Sequence, residues 1–241
     1  MFTELDHKKK QLDQKRPFPE HTIRTLREHL LLEWTYHSNA IEGNTLTLSE
    51  TKVVLEGITI GGKLLREHLE VINHQEAIYY LEEIVRNQEP FSEWQIKNIH
   101  RLVLKGISDH DAGVYRLQNV LISGAKHIPP DYIKLPSEME RLIEWYDGAG
   151  ALHPVERAAR LHVEFVKIHP FVDGNGRTSR LLMNLELMKH GFPPTIIRKE
   201  NRLDYYQALD VAHTTGKYEA FFGLIVKAIQ ESLNLYMKMI L

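Results

Sequence analysis

HPFVDGNGRTSR, residues 169–180, joins two apolar helical runs through a turn that contains two glycines. Upstream, Ala158, Leu161, Phe165 and Ile168 recur at helical spacing, so His169 is expected at the end of a buried helix. Pro170 discourages continuation. Gly174 and Gly176 free the backbone to turn and to aim successive N–H groups at one point, the kind of concavity that binds anions. Asn175 can add a side-chain donor there. Leu181, Leu182, Leu185 and Met188 give the following helix an apolar face. Its N-terminus opens near Asn175 and Gly176, where unpaired N–H groups and the helix dipole favour negative charge.

Arg177 and Arg180 lie three apart in the first turns of that helix and are expected on one face. Two cations at the positive end of a helix are unfavourable until an anion arrives, and a triphosphate meets that demand. Asp173 is the one carboxylate of the loop, and beside phosphates its role is best explained by a bridging Mg²⁺. His169 at the rim suits proton abstraction from an incoming hydroxyl near neutral pH. The set reads as group transfer from a nucleotide.

At these residues the chain resembles the Fic family, whose motif HPFx[DE]GNGRxxR is matched at every fixed position. The resemblance implies an all-α, Fic-type helical bundle with a short β-hairpin flap over the active site. It also implies transfer of AMP from ATP to a Ser, Thr or Tyr hydroxyl of a target protein, or of the protein itself. On it, His169 becomes the general base and Asp173 the Mg²⁺ ligand. Gly174, Asn175 and Gly176 become the anion cradle, Arg177 and Arg180 contact the phosphates, and Phe171 anchors the loop in the core.

Three further segments fit this resemblance. SNAIEGN, Ser38 to Asn44, is similar to the inhibitory motif [ST]xxxE[GN] of self-restrained family members, which implies that Glu42 pairs with Arg180. The physics agrees, since an arginine lacking its phosphate needs another anion and a carboxylate forks well onto guanidinium. GVYRLQNVLISGAKHIPPDYIKLP, from Gly113, loses the helical period and carries β-branched runs around Ser123, Gly124 and Ala125, which suggests a hairpin or an extended flap. The resemblance makes it the edge on which Val120, Leu121 and Ile122 offer main-chain pairing to the target; an ordinary surface hairpin is the alternative. Tyr205 and Tyr206, in a YYxAL pattern, are either an adenine wall or two core aromatics.

Composition limits the remaining readings. A chain of 241 residues with 43% hydrophobic content can bury a sizeable core, and a single domain over 1–241 is expected. Within it, 20–44 is the inhibitory helix segment, 113–135 the flap, 153–190 the helix–loop–helix of the motif and 217–241 a C-terminal helix. A net charge of −2 gives no global attraction to nucleic acid or acidic membranes. No cysteine occurs, the start MFTELDHKKKQ lacks a signal peptide's apolar core, and no 18-residue apolar stretch occurs, so a cytoplasmic protein is expected. The histidines lack the HExxH spacing of a zinc site. Helical periodicity predicts a helix within 1–16, then helices from Glu20 to about Ser38, through Val53 to Leu55, from Leu65 to about Asn87, from Ser92 to Gly106, from Ser137 to Tyr146, from His153 or Pro154 to Ile168, from about Asn175 to near Gly191, around Tyr205 to Ala212 and from about Tyr218, with Thr47 or Ser49 capping the third and Ser92 the fifth. Removal of AMP from a modified protein, transfer of UMP or GMP, and a catalytically idle nucleotide-binding regulator stay open, as do the target and the formation of a homo-oligomer.

Overall fold

The run ending at Ile168 and the run beginning at Asn175 form the two helices with the most extensive mutual packing in the fold. Pro154 opens the first, where a missing N–H costs nothing, and His153 caps it by accepting the Val155 N–H at 3.2 Å. His169 ends it in the left-handed region at φ 51°. Gly174, at φ 75°, then caps the second helix. A Cβ added at Gly174 would crowd His100 and Val103 at 3.2 Å, so this tight approach selects glycine.

The computed structural model describes residues 2–240. Among these, the chain forms α1 (Thr3–Asp13), α2 (Glu20–Ile41), α3 (Leu48–Leu55), α4 (Leu65–Arg86), α5 (Glu93–Leu104), α6 (Leu135–Gly148), α7 (Pro154–Ile168), α8 (Asn175–Lys189), α9 (Arg202–Thr215) and α10 (Glu219–Ile240). No helix among them is long and apolar enough to cross a membrane. Helix α8 is the central element: α7, α4, α5 and α2 all pack on it. Its residues from Arg177 to Leu187 are buried on every side, as befits a helix that shows little one-sided patterning. Phe171, fully buried, stacks on His100 with ring centroids 3.5 Å apart and locks the turn to α5. Burial of such a ring stabilises by roughly 2–3 kcal/mol, which accords with its expected packing role.

At two helix ends the structure refines the expectation for identifiable reasons. Helix α2 continues past Ser38 to Ile41, because Ile41 is fully buried and Asn39 Nδ2 donates to the Thr35 and Glu70 carbonyls. Glu42 is thereby the residue on which α2 ends. Thr47, not Ser49, caps α3, in a reciprocal pair with Glu50.

The expected β-hairpin over 113–135 does not form; no strand occurs among the described residues. A tight turn is present where it was expected, with Ala125 N–H donating to the Ile122 carbonyl at 3.1 Å. Its arms, however, are held by side chains in place of a ladder. Arg116, buried, donates from Nε to the His169 carbonyl at 2.9 Å, from Nη1 to Gln118 at 2.8 Å and from Nη2 to Pro130 at 2.6 Å. Asp210 of α9 accepts the N–H groups of Lys126 and His127 at 2.7 and 3.3 Å. These attachments and the N–H lost at Pro129 and Pro130 remove the groups that a ladder would pair.

Two predictions follow from this packing. Arg116→Ala leaves three carbonyls without their charged donor, and we expect a loss of about 2–4 kcal/mol of stability, with hydrogen exchange accelerated over 113–131. Denaturant titration and exchange mass spectrometry check both. The second concerns pH. His100 donates Nε2–H to the Asp173 carbonyl at 2.8 Å and accepts the Gly113 N–H on Nδ1 at 2.9 Å, which fixes it as the neutral tautomer. Burial lowers His100, His169 and His213 to about 4 from an ordinary 6.5. Between those values the unfolded chain binds more protons than the native one. Their stabilisation is therefore complete above about pH 6.5 and is lost as pH falls toward 4. Urea titrations at about pH 7, 5.5 and 4.5 should show the decline, with proton uptake on unfolding at the middle value.

Candidate active site at the start of the central helix

Arg180 is 2% exposed, so its guanidinium must be met entirely by protein groups. Its Nε donates to Ser38 Oγ at 3.0 Å, and Nη2 donates to the Ser38 carbonyl and to Glu42 Oε1, both at 2.7 Å. Nη1 donates to the Tyr205 hydroxyl at 3.3 Å. Burial opposes the charge, but Glu42 and Tyr205 more than offset it and raise the pKa of Arg180. The end of α2 is thus fastened to α8 by one charge-assisted pair and two further hydrogen bonds, and α9 adds a third through Tyr205. Glu42 also rests on the Cα of Gly176, where any Cβ would overlap its Oε1. The carboxylate accordingly sits over the first turn of α8, whose leading N–H groups have no intrahelical acceptor.

A cavity of about 580 Å³ opens beside this pair, between the Ile122–Ala125 turn, α9 and the start of α8. Glu42, Gly176, His169, Ile122, Tyr205 and Tyr206 line it together. His169 Nδ1 is buried beside the Val166 backbone, which leaves Nε2 as the open ring nitrogen. Burial is the main cause that lowers this imidazole to about 4; the Val166 backbone opposes the shift and Arg116 adds to it. It is therefore neutral, and able to accept a proton, throughout the neutral range.

Other expected site residues stand behind the cavity wall. Asn175 spends its whole side chain inside the loop: Oδ1 accepts the Phe171 N–H at 3.0 Å and Nδ2 donates to the Phe171 carbonyl at 2.9 Å. Only its backbone N–H is left for an anion, which corrects the expected side-chain donor. Arg177 and Arg180 do not share a face in practice. Arg180 turns toward α2 and α9, whereas Arg177 turns toward α4, 3.4 Å from both Asp173 Oδ1 and Glu70 Oε1. Nη2 donates a long hydrogen bond to Asp173 Oδ1, whereas the Glu70 pair lacks hydrogen-bond alignment, and Arg177 Nε and Nη1 are buried without an acceptor. Gly174 is a backbone hinge packed on His100. Val120 and Leu121 stay outside the cavity, with Leu121 on the surface.

The two tyrosines divide the alternatives set for them. Tyr205 is buried, and its hydroxyl contacts both Arg180 and His162 Nε2, the latter at 3.0 Å. Tyr206 is half-buried, donates to the Ile41 carbonyl at 3.2 Å, and presents its ring beside Arg202. Tyr205 is thus a buried aromatic that holds Arg180, and both tyrosines border the cavity.

Asp173 is half-exposed and pairs with Arg66 and Arg177. Burial would raise its pKa, but Arg177, the Gly174 N–H and Arg66 together lower it, so the carboxylate is ionised. No cluster of three or more metal-ligating side chains exists among the described residues. A cation at Asp173 would thus have a single protein carboxylate and take its other ligands from phosphates and water, the donor set that Mg²⁺ accepts. In that chemical sense the residues fit Mg²⁺. The pattern of the sequence held no sign of Arg66, Glu70, Arg116 or Asp210, because the contacts that bring them to the site, Arg66 with Asp173, Glu70 with Arg177, Arg116 with His169 and Asp210 with Lys126, join residues far apart in the chain.

Comparison with known proteins agrees with this arrangement. Residues 90–187 match the model of the Fic/DOC family. A protein adenylyltransferase Fic of Nematostella vectensis is 41% identical over 206 residues, 84% of this chain and 48% of that protein. Its counterpart in Drosophila virilis is 38% identical over 218 residues, 89% of this chain and 44% of that one. The chain spans about half the length of these curated relatives. Among solved structures, a Fic domain-containing signalling protein of Bacteroides thetaiotaomicron superposes with a TM-score of 0.87 at 30% identity, covering 96% of each chain. Fic-1 of C. elegans gives 0.87 at 33% identity, over 97% of this chain and 71% of that one. A fold match of that extent, at that identity and around that loop, means that the chain belongs to the Fic/DOC family.

Proposed function

We propose that the protein is an adenylyltransferase that moves AMP from ATP to a Ser, Thr or Tyr hydroxyl of a target protein, and that Glu42 restrains it. One observation carries the reading: an internal carboxylate is seated on a buried arginine over a helix N-terminus, in the same cavity as a neutral imidazole. A seat that Glu42 fills in this way is an anion seat, and its natural competitor is a phosphate. The names of the curated relatives support the same chemistry.

In the reaction, His169 Nε2 takes the proton of the target hydroxyl as that oxygen attacks the α-phosphorus. A new O–P bond forms, the bond from the α-phosphorus to the bridging oxygen breaks, and pyrophosphate leaves with the electron pair. The leading N–H groups of α8, at Asn175, Gly176 and Arg177, hold phosphate oxygens at fixed geometry. Arg180, once released by Glu42, supplies the cation for the terminal phosphate, while the Arg177 side chain helps keep Asp173 ionised. Asp173 would hold Mg²⁺, which when bound neutralises charge on the departing pyrophosphate. Tyr206 stands where a base can stack. The 113–135 flap leaves Leu117, Leu121 and Ile128 exposed, and residues 120–122 make no ladder of their own, so main-chain pairing to an extended target is open to them. Self-modification and a cytoplasmic setting, which suits a chain without cysteine, belong to the same proposal.

A second reading has one observation in its favour. Glu42 faces the cavity with His169, and a carboxylate there can orient water against an AMP-modified side chain, so that the site removes AMP.

His169→Ala should lower transfer by about 10²–10⁴-fold while nucleotide binding stays near that of the parent, since the imidazole acts on the attacking hydroxyl. Calorimetry with a nonhydrolysable ATP analogue, beside transfer of α-labelled ATP, checks the separation. Glu42→Gly should raise the initial rate of forward transfer, by up to about a hundredfold if the closed pair is about 99% populated. Single-turnover measurement with unmodified target, read at early times, distinguishes lost restraint from lost AMP removal; equal initial rates would rule restraint out.

A further inference from the structure

Two guanidinium groups already hold the carboxylate assigned to the metal. Arg66, in the first turn of α4, brings Nη2 onto Asp173 Oδ2 while its Nε donates to Glu70 Oε1 at 3.1 Å. Arg177 stands 3.4 Å from Asp173 Oδ1 and 3.4 Å from Glu70 Oε1. Asp173, Arg66, Glu70 and Arg177 thus close a ring of alternating charge. The second oxygen of Glu70 accepts Asn44 Nδ2 at 2.9 Å, which ties the ring to the chain just after Glu42.

The two cations differ in their freedom to move. Arg177 is 2% exposed and rooted in α8 beneath the loop, with no route to solvent. The Arg66 side chain is 53% exposed and can leave Asp173 without opening the core. Oδ1 is already occupied by Arg177 and by the Gly174 N–H. A divalent ion that needs Asp173 therefore has Oδ2 to take, and there it meets the like charge of Arg66.

We infer that Arg66 is a resident counter-ion of Asp173, a positioning residue that occupies Oδ2 until a divalent cation displaces it toward solvent. The inference rests on the reading of Asp173 as the metal's protein ligand. It gives the site a conditional character: a bare cation must expel a guanidinium, whereas a cation that arrives with phosphate ligands brings compensating negative charge. Arg66 is then a second restraint on the same site beside Glu42, and the Asn44–Glu70 contact places both restraints on one connected stretch of structure.

The test measures Mn²⁺ uptake by electron paramagnetic resonance at saturating nonhydrolysable ATP analogue, with Glu42→Gly as the parent so that nucleotide entry is not limiting. Adding Arg66→Ala should tighten Mn²⁺ about three- to tenfold, the scale of a partly exposed ion pair, and Arg66→Lys, which keeps the charge but loses the forked contact, should fall between. The difference should shrink at about 1 M salt, where the Debye length is about 3 Å. Mn²⁺ affinity that is unchanged or weaker in Arg66→Ala, yet lost in Asp173→Ala, would overturn the inference and leave the metal assignment standing. Uptake indifferent to Asp173→Ala would overturn the assignment itself, and the role of Arg66 with it.

Discussion

A guanidinium buried at the start of the central helix imposes the constraint on which the rest of this structure depends. Arg180 cannot be left without counter-charge where water does not reach, and the positive end of α8 adds to its demand. The chain answers with the end of α2, which must run far enough to bring both the Ser38 carbonyl and Glu42 to the same place. The extension of α2 to Ile41 meets that requirement, and the glycine at 176 leaves room for the Glu42 carboxylate. A ligand phosphate in the cavity would satisfy it equally well, which is why, on the proposed function, the contact that completes the fold is also the one a nucleotide must displace.

The loop before α8 is built from backbone groups, each with a specific answering partner. His169 leaves α7 in a left-handed conformation, Gly174 enters α8 in another, and Asn175 closes the interval by bonding both polar groups of Phe171. His100 and Arg116 then hold the Asp173 and His169 carbonyls from two other segments. The open nitrogen of His169 is thus placed by groups that never touch a substrate. The neutral state of the imidazole comes mainly from burial, so the packing that orients the base also sets its protonation.

The flap shows the opposite economy. It has a turn and exposed apolar side chains but no internal ladder, and it is anchored at Arg116, Asp210 and the Lys167 carbonyl, which accepts His127 Nε2–H at 2.9 Å. Backbone groups that are not paired within the segment are available to a second chain, and side-chain anchors keep that edge near the cavity without stiffening it into a sheet.

By itself the sequence determined the helical architecture and the loop that marks the site. Ten stretches of helical periodicity became the ten α-helices found among the described residues, because apolar spacing and caps such as Thr47 and Ser92 are local in the chain. HPFVDGNGRTSR placed His169, Asp173 and the arginines together for the same reason, since they lie within three helical turns of one another. Tertiary structure alone decided where those side chains lead. Residues three apart on a helix begin on one face, yet Arg177 reaches α4 while Arg180 reaches α2 and α9, because long side chains follow the acceptors that other helices present. Tyr205 and Tyr206, adjacent in sequence, split into a buried support for Arg180 and a half-buried ring by the same logic. The hairpin failed to form because its hydrogen-bonding groups found partners at Asp210 and Arg116, one of them more than 80 residues away. Periodicity records which face of an element is buried; only the folded chain specifies the partner against which it is buried.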